Sequence, residues 1–352
     1  MIKILKIGDF VYGQSIQRSV NTYTKGFPQR EFYLYKYTKD IIKTEFYHHD
    51  RLKNLQDVYI NKARLKQFIF KKEYDYIFID NPFSYLLVDN QPDISIIFDC
   101  IDWYDEMYLK EFGINAGYYL LRYAYLSLLK RADKVIAQSP IILDYLVKWG
   151  LQSKKAVIIP NGYDSEFFYP YPLAQIKKSQ REISQKHNIS FDNKKVIVYT
   201  GKLNKWYENI KIIIDAITSD QILLIVGDGP LFKYLPHRSN IIKCGPVPIT
   251  KVASYTNIAD VCVFPVDDCS PIAISEYLAV GKPIVSIKGR LSWLLKNGIN
   301  GYLVDNNASS WQIGINKAIT NSNKISLNNL RISKRLSWKQ LSSDFISFVK
   351  SK

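Results

Sequence analysis

The sequence predicts two Rossmann-like, doubly wound α/β halves facing a cleft. Three observations lead there. Short β-rich runs alternate with helix-length patterns through nearly the whole chain. Most of the runs are unbroken Ile/Val stretches, as expected of parallel strands covered by helices on both faces. The alternation pauses once, from about 165 to 195, and 352 residues is the length of two domains rather than one.

The expected strands of the first half are Ile2–Ile7, Tyr74–Ile79, Ile94–Asp99, Lys134–Gln138 and Val157–Ile159. Those of the second are Val196–Thr200, Ile222–Val226, Ile241–Cys244, Val261–Phe264 and Ile284–Ser286. Helical patterns fall between them at Ser15–Lys25, Leu52–Lys71, Gly117–Arg131, Pro140–Gly150, Glu208–Thr218 and Ile249–Ile258. Right-handed crossovers then wind each half into its own sheet. The expected division is an N-terminal domain over 1–165, a polar linker with one helix over 166–194, and a C-terminal domain over 195–332. A helical tail, about 333–352, is free to pack back on the first domain.

With 47% apolar and 23% charged residues, the composition is that of a folded protein and excludes a disordered or collagen-like chain. Cys100, Cys244, Cys262 and Cys269 show no CxxC spacing, so they read as buried thiols in a reducing compartment. No stretch reaches the ~20 apolar residues of a membrane span, and the N-terminal run is too short for a signal peptide. The expected location is therefore the cytoplasm. The net charge of +16 is uneven: +3 over residues 1–168 and +13 over 169–352. Such a half fits a polyanion: a phosphorylated ligand, an anionic membrane or nucleic acid. No RNP-type aromatic motif, zinc finger or KH loop supports nucleic acid.

Four strand-exit loops carry candidate chemistry. Val157–Asp164 ends a strand in Pro-Asn-Gly, where Gly162 is free to take φ > 0. In Tyr199–Glu208, Gly201 allows a ligand close to the backbone, and Lys202 and Lys205 add two cations before a helix N-terminus. Val226–Pro230 is a tight turn through Gly227, and Gly245 ends the next strand. Val263–Val285 runs from a strand through a polar loop (Asp267–Ser270) into a helix opening near Pro271, with Glu276 about a turn and a half inside it. The backbone around Ser270, Pro271 and Ile272 marks a helix end whose free N–H groups can hold a diphosphate. Each loop taken alone is also compatible with a purely structural role.

In order, TGKLNK, VGDGP, KCGPVP (243–248), IADVCVFP (258–265), SEYLAVGKPIVS (275–286) and NGINGYLVD (297–305) resemble the C-terminal domain of the GT-B glycosyltransferases, family 4 in particular. The first half is less typical. Gly8–Gly13 replaces the usual Gly-Gly loop. Tyr74–Pro82, Ile97–Glu106 and Trp206–Asn209 look like the branch of teichuronic-acid-type and xanthan glucuronosyltransferases.

The resemblance implies a metal-independent hexosyltransferase that needs no cofactor and uses a nucleotide-sugar donor, UDP-linked for preference. Glu276 would take the ribose hydroxyls. Lys202, Lys205 and the backbone of 270–272 would neutralise the departing diphosphate, with Gly201, Gly227, Gly245 and Asp268 lining the donor site. The acceptor would be a saccharide or lipid-linked saccharide of a bacterial surface polysaccharide. Gly13, Asp105 and Glu106 would stand on its side, with Asp102, or Asp99 in competition, as general base. Basic residues over 30–72, and the aromatic helix 117–131 ending in Lys-Arg, suit a peripheral contact at the inner membrane face. Three departures from the family pattern stand out: Asp268 replaces a glutamate, Ala273 a lysine and Lys202 an arginine. A catalytically degenerate GT-B protein and a sugar-nucleotide epimerase remain as other readings, with a basic nucleic-acid-binding protein as a distant one. Inversion and retention are both open.

Overall fold

The computed structural model describes residues 1–8, 29–49, 55–69, 72–89, 93–204 and 209–351. These divide into two units. The first holds the described residues of Met1–Gln14, Glu31–Pro160 and Ser342–Lys352; the second holds those of Ser15–Arg30 and Asn161–Leu341.

The first unit is built on a six-stranded parallel sheet: β1 (Ile2–Gly8), β2 (Ile42–His48), β3 (Tyr76–Ile79), β4 (Ser95–Cys100), β5 (Lys134–Ala137) and β6 (Ala156–Ile158), in the order β2-β1-β3-β4-β5-β6. Its α-helices are α1 (Gln29–Thr38), α2 (Leu55–Ile69), α3 (Tyr104–Phe112), α4 (Ala116–Arg131) and α5 (Pro140–Lys148). Strand residues of both parities are buried, Leu5 and Ile7 as fully as Ile4, and Ile97 as fully as Ile96 and Phe98. Two covered faces explain why the runs are continuously apolar. Ser139 caps α5 by accepting from Ile142 N at 3.1 Å, and Pro140 follows in the first turn.

The second unit repeats the plan with β7 (Lys195–Thr200), β8 (Gln221–Val226), β9 (Ile241–Gly245), β10 (Val261–Phe264), β11 (Ile284–Ile287) and β12 (Tyr302–Val304), ordered β12-β11-β10-β7-β8-β9. It carries α6 (Leu173–His187), α7 (Ile210–Ala216), α8 (Ile249–Ile258), α9 (Ile272–Ala279), α10 (Ala308–Thr320) and α11 (Ser322–Ser333). One sheet face packs Val196, Val198, Leu224 and Phe264; the other packs Ile197, Tyr199, Ile225 and Val263. The polar stretch 166–194 lies inside this unit, because Phe168 and Ile183 are buried in its core.

The tail is helical from Trp338 to Lys350, within the expected range, and a break separates it from the helix before it. After α11 and a 3₁₀ turn, Ser337 is extended (φ −67°, ψ 139°), and α12 (Trp338–Lys350) begins. At the break the chain pairs with Tyr163: Tyr163 N donates to Leu336 O at 3.1 Å, and Trp338 N to Tyr163 O at 3.0 Å. Gly162 therefore has a different duty from the one expected. It is not among the glycines of positive φ, but a Cβ there would lie 2.6 Å from Leu336 O. Close approach, not backbone handedness, demands the glycine. Within the first unit, Phe345 of α12 packs edge-on to Phe78 at 6.0 Å, and Lys134 Nζ donates to Phe348 O at 2.8 Å and Ser351 O at 2.6 Å.

Candidate active site

In the second unit the strand order reverses at β7, which pairs with β8 on one side and β10 on the other. Ligands of open α/β sheets bind at the carboxyl ends of the strands flanking such a point. Here those ends carry Gly201 and the 265–271 loop.

The loop after β7 is held by backbone. Leu203, fully buried, donates from N to Asp228 O at 3.0 Å and accepts from Leu231 N at 2.8 Å. Tyr199 OH donates to Lys202 O at 2.5 Å. These anchors fix the backbone on which the exposed Lys202 side chain stands. Gly201 N donates to Val226 O at 3.0 Å and Gly227 N to Gly245 O at 2.9 Å, so the three glycines step across the ends of β7, β8 and β9. At Gly227 (φ +139°) a Cβ would stand 1.8 Å from Gly201 O, whereas one at Gly245 (φ +72°) would meet nothing within 4 Å. Lys205 lies outside the described residues, as does Gly13.

The loop after β10 is braced from several sides. Asp267 Oδ1 accepts from Arg290 N at 2.6 Å, Trp293 Nε1 donates to Cys269 O at 2.7 Å, and Ser270 N donates to Asp268 Oδ1 at 3.1 Å. Asn161, from the Pro-Asn-Gly turn, donates from N to Ser270 Oγ at 2.8 Å and from Nδ2 to Ser270 O at 2.8 Å; its own carbonyl accepts from Ser275 Oγ at 2.7 Å. Burial pushes the Asp268 carboxyl up, although the Ser270 and Cys269 amides and Arg290 oppose the shift.

α9 opens at Pro271 with no side-chain cap. Ala273 through Ala279 are all buried in it. Tyr277 OH bonds Thr200 N at 2.8 Å and Thr200 Oγ1 at 2.9 Å, locking the helix to β7. Glu276 is 1% exposed, and its Oε2 has no hydrogen-bond partner in the protein. Desolvation alone lifts its pKa from 4.5 to about 8. A buried carboxylate oxygen without a donor costs stability unless something else supplies one. The arrangement offers a preformed acceptor for hydroxyl donors, an uncapped helix end and a cation on a fixed loop.

Residues 20–167 match the profile described as Glycosyltransferase Family 4, and residues 194–321 match the one described as Glycosyl transferases group 1. The chain belongs to the group 1 glycosyltransferases of GT-B fold. Solved structures agree on the architecture. Anabaena HepE in complex with UDP and glucose is 17% identical over 100% of both chains, with a TM-score of 0.76. Sucrose-phosphate synthase from Thermosynechococcus elongatus is 16% identical over 99% of this chain and 98% of its own, at 0.77. The lipopolysaccharide outer core galactosyltransferase WaaB, in its apo form, is 14% identical over 99% of each chain, at 0.67. At such identities the likeness is one of fold. No curated protein matches the sequence.

In the first unit of this transferase the four expected acids occupy different settings. Asp99 sits in β4 with no exposed surface. Asp102 is exposed in the bend before α3. Asp105 and Glu106 are half-buried in the first turn of α3, and Glu106 Oε1 lies 3.3 Å from Lys110 Nζ. Only Asp102 is broadly open to a ligand. Sequence reasoning passed over the buried Lys6–Asp80 ion pair, 2.5 Å long at the ends of β1 and β3. It also passed over the bracing roles of Asn161, Tyr277, Arg290 and Trp293; the first two were in view only as a turn residue and an apolar helix face. Among the described residues, no three His, Cys, Asp or Glu side chains converge as a metal site, and no helix is long and apolar enough to cross a membrane. All four cysteines are buried, and none of them is in a disulfide.

Proposed function

We propose that this transferase moves a hexosyl group from a nucleoside-diphosphate sugar, UDP-linked by preference, to a saccharide or lipid-linked saccharide acceptor of a bacterial surface polysaccharide. The observation that carries the donor half is Glu276: a buried carboxyl group whose Oε2 has no partner, beside an uncapped helix end, is placed to bond the ribose hydroxyls. HepE holds UDP in its crystal structure, which favours uridine. WaaB, a lipopolysaccharide galactosyltransferase, favours a surface glycan.

Lys202, Lys205 and the backbone of 270–272 take the diphosphate; cations and amides held in advance at the departing charge are the main catalytic lever, and no metal is required. Gly201, Gly227 and Gly245 line the site, and Asp268 braces it. In an inverting reaction the acceptor oxygen attacks the anomeric carbon, the bond from that carbon to the diphosphate breaks with its electron pair leaving on the nucleotide, and Asp102 takes the acceptor's proton.

A peripheral contact with an anionic bilayer at the inner membrane face belongs to the same reading. Met107, Phe112, Ile114, Tyr119 and Tyr123 are exposed on the α3–α4 hairpin, with Arg122 and Lys130 exposed on the same helix as the two tyrosines. The inward side of α4 is occupied by Tyr118, Leu121, Tyr125, Leu128 and Leu129.

Calorimetry with UDP, GDP and ADP tests the donor assignment. Micromolar UDP binding that Glu276→Ala abolishes supports it. Absence of binding to all three nucleotides, with tight binding to random oligonucleotides, overturns it.

A further inference from the structure

The central strands of the second sheet part before they end. β7 pairs with β8 along its whole length, as far as Thr200 opposite Val226, and β10 pairs with β11 as far as Phe264 opposite Ser286. Between β7 and β10 the register stops at Val198 opposite Cys262, although each strand runs two residues further. The parting falls at their carboxyl ends, where the strand order reverses.

It leaves a buried amide to satisfy. Successive N–H groups of a strand point to opposite neighbours. Gly201 N donates to Val226 O on the β8 side, so Thr200 N faces β10. Thr200 is 1% exposed, and an N–H at that depth needs a partner. The Tyr277 hydroxyl takes the place of β10: it accepts from Thr200 N at 2.8 Å and lies 2.9 Å from Thr200 Oγ1. The Tyr277 ring has no exposed surface, so the hydroxyl is held by the core of the unit. A second side chain links the chain after β7 to the end of β10. Asn209, just before α7, donates from Nδ2 to Pro265 O at 2.9 Å and accepts at Oδ1 from Asn306 Nδ2 at 3.0 Å. The parting is therefore fixed rather than slack.

Thr200 directly precedes Gly201 and Lys202, and Tyr277 directly follows Glu276. One hydroxyl thus ties the loop that carries the Lys202 ammonium to the helix that carries the Glu276 carboxyl. Without it, Thr200 N must turn to water or to β10, and either choice moves the Gly201–Lys202 backbone while Glu276 stays on its helix. We infer that Tyr277 is a positioning residue of the donor site, which acts through Thr200 to set Lys202 against the diphosphate. The diphosphate in that statement rests on the donor reading given above.

Tyr277→Phe keeps the ring in the core and deletes the hydroxyl. In calorimetry it should weaken UDP about fivefold and leave uridine within about twofold, because the ribose side is untouched. In a double-mutant cycle, adding Tyr277→Phe to Lys202→Ala should change UDP affinity less than twofold, since the cation it positions is already gone. Hydrogen exchange at Gly201 and Leu203 should quicken about tenfold, with the β8 amides unchanged. If Tyr277→Phe does not fold, Thr200→Val, which removes one of the hydroxyl's two partners, takes its place in the cycle with a loss of about threefold. Equal losses for UDP and uridine, an undiminished loss in the Lys202→Ala background, or wild-type UDP affinity in the variant would reduce Tyr277 to a packing residue. Faster exchange at 201–203 in a protein whose wild type binds no UDP would keep the loop's dependence on Tyr277 and remove the donor assignment. Wild-type UDP binding and exchange in Tyr277→Phe would do the reverse.

Discussion

Glu276→Gln should remove a pH dependence of stability that the wild-type chain carries. In the folded protein burial lifts this carboxyl from 4.5 to about 8. Between those values the native state keeps a proton that the unfolded chain has released. Stability from this group is therefore complete below pH 4.5 and is lost as pH rises through 8. At ~1.36 kcal/mol per pKa unit, the interval sets a ceiling of about 5 kcal/mol on the loss. Glutamine keeps the shape and cannot titrate. Urea unfolding of ligand-free protein at pH 5, 7 and 9, with hydrogen exchange of the α9 amides as the local readout, measures the difference between the two chains. The variant should gain on the wild type by several kcal/mol from pH 5 to pH 9. A difference that stays constant with pH would mean that Glu276 is solvated or paired, and the argument from its unpartnered Oε2 would fail.

Further outcomes follow from single contacts. Gly227→Ala must place a Cβ 1.8 Å from Gly201 O at φ +139°, and should cost about 3 kcal/mol in urea unfolding. Gly245→Ala meets open space and should cost about 1 kcal/mol, from backbone handedness alone. Asp80→Asn leaves Lys6 as an unpaired ammonium whose side chain is only 4% exposed, and should cost about 3–5 kcal/mol; adding Lys6→Met should recover most of it in the same unfolding assay. Lys202→Ala should weaken UDP about tenfold while leaving uridine unaffected, and calorimetry at two salt concentrations should show a shallower salt dependence.

The interior strands were legible because burial on both faces writes the same Ile/Val run whatever the residue's parity. β2 and β12 were not, and each is an edge strand. β2 carries Lys43 and Glu45, the second bonded to Lys72 Nζ and Tyr74 OH at 3.0 and 2.8 Å, so its sequence reads as polar. β12 spans three residues, too few for any period to show. The helical tail was legible, but its start was not: the break at Ser337 goes with pairing to Tyr163, which no local pattern reports.

In the site, Gly201, Gly227 and Glu276 could be read from the chain because strand-end glycines and a helix-borne acid are local features. Asn161 and Tyr277 act across 109 and 77 residues, and only the fold brings them to Ser270 and Thr200.

Asp268 shows how a departure from family pattern acquires a physical reason. Its Oδ1 accepts the amide two residues on, at 3.1 Å, closing an Asx turn immediately before α9. The loop is thereby curled so that Ser270 meets Asn161 and Cys269 O meets Trp293. A glutamate inserts one more methylene and cannot close the same ring without moving the loop. Asp268→Glu should therefore loosen the 267–271 segment, read as faster hydrogen exchange at Ser270 and weaker UDP binding, with the sheet intact. If the longer acid tightened UDP instead, the short side chain would be a lost sugar contact rather than a turn device, and the bracing role assigned to Asp268 would be wrong.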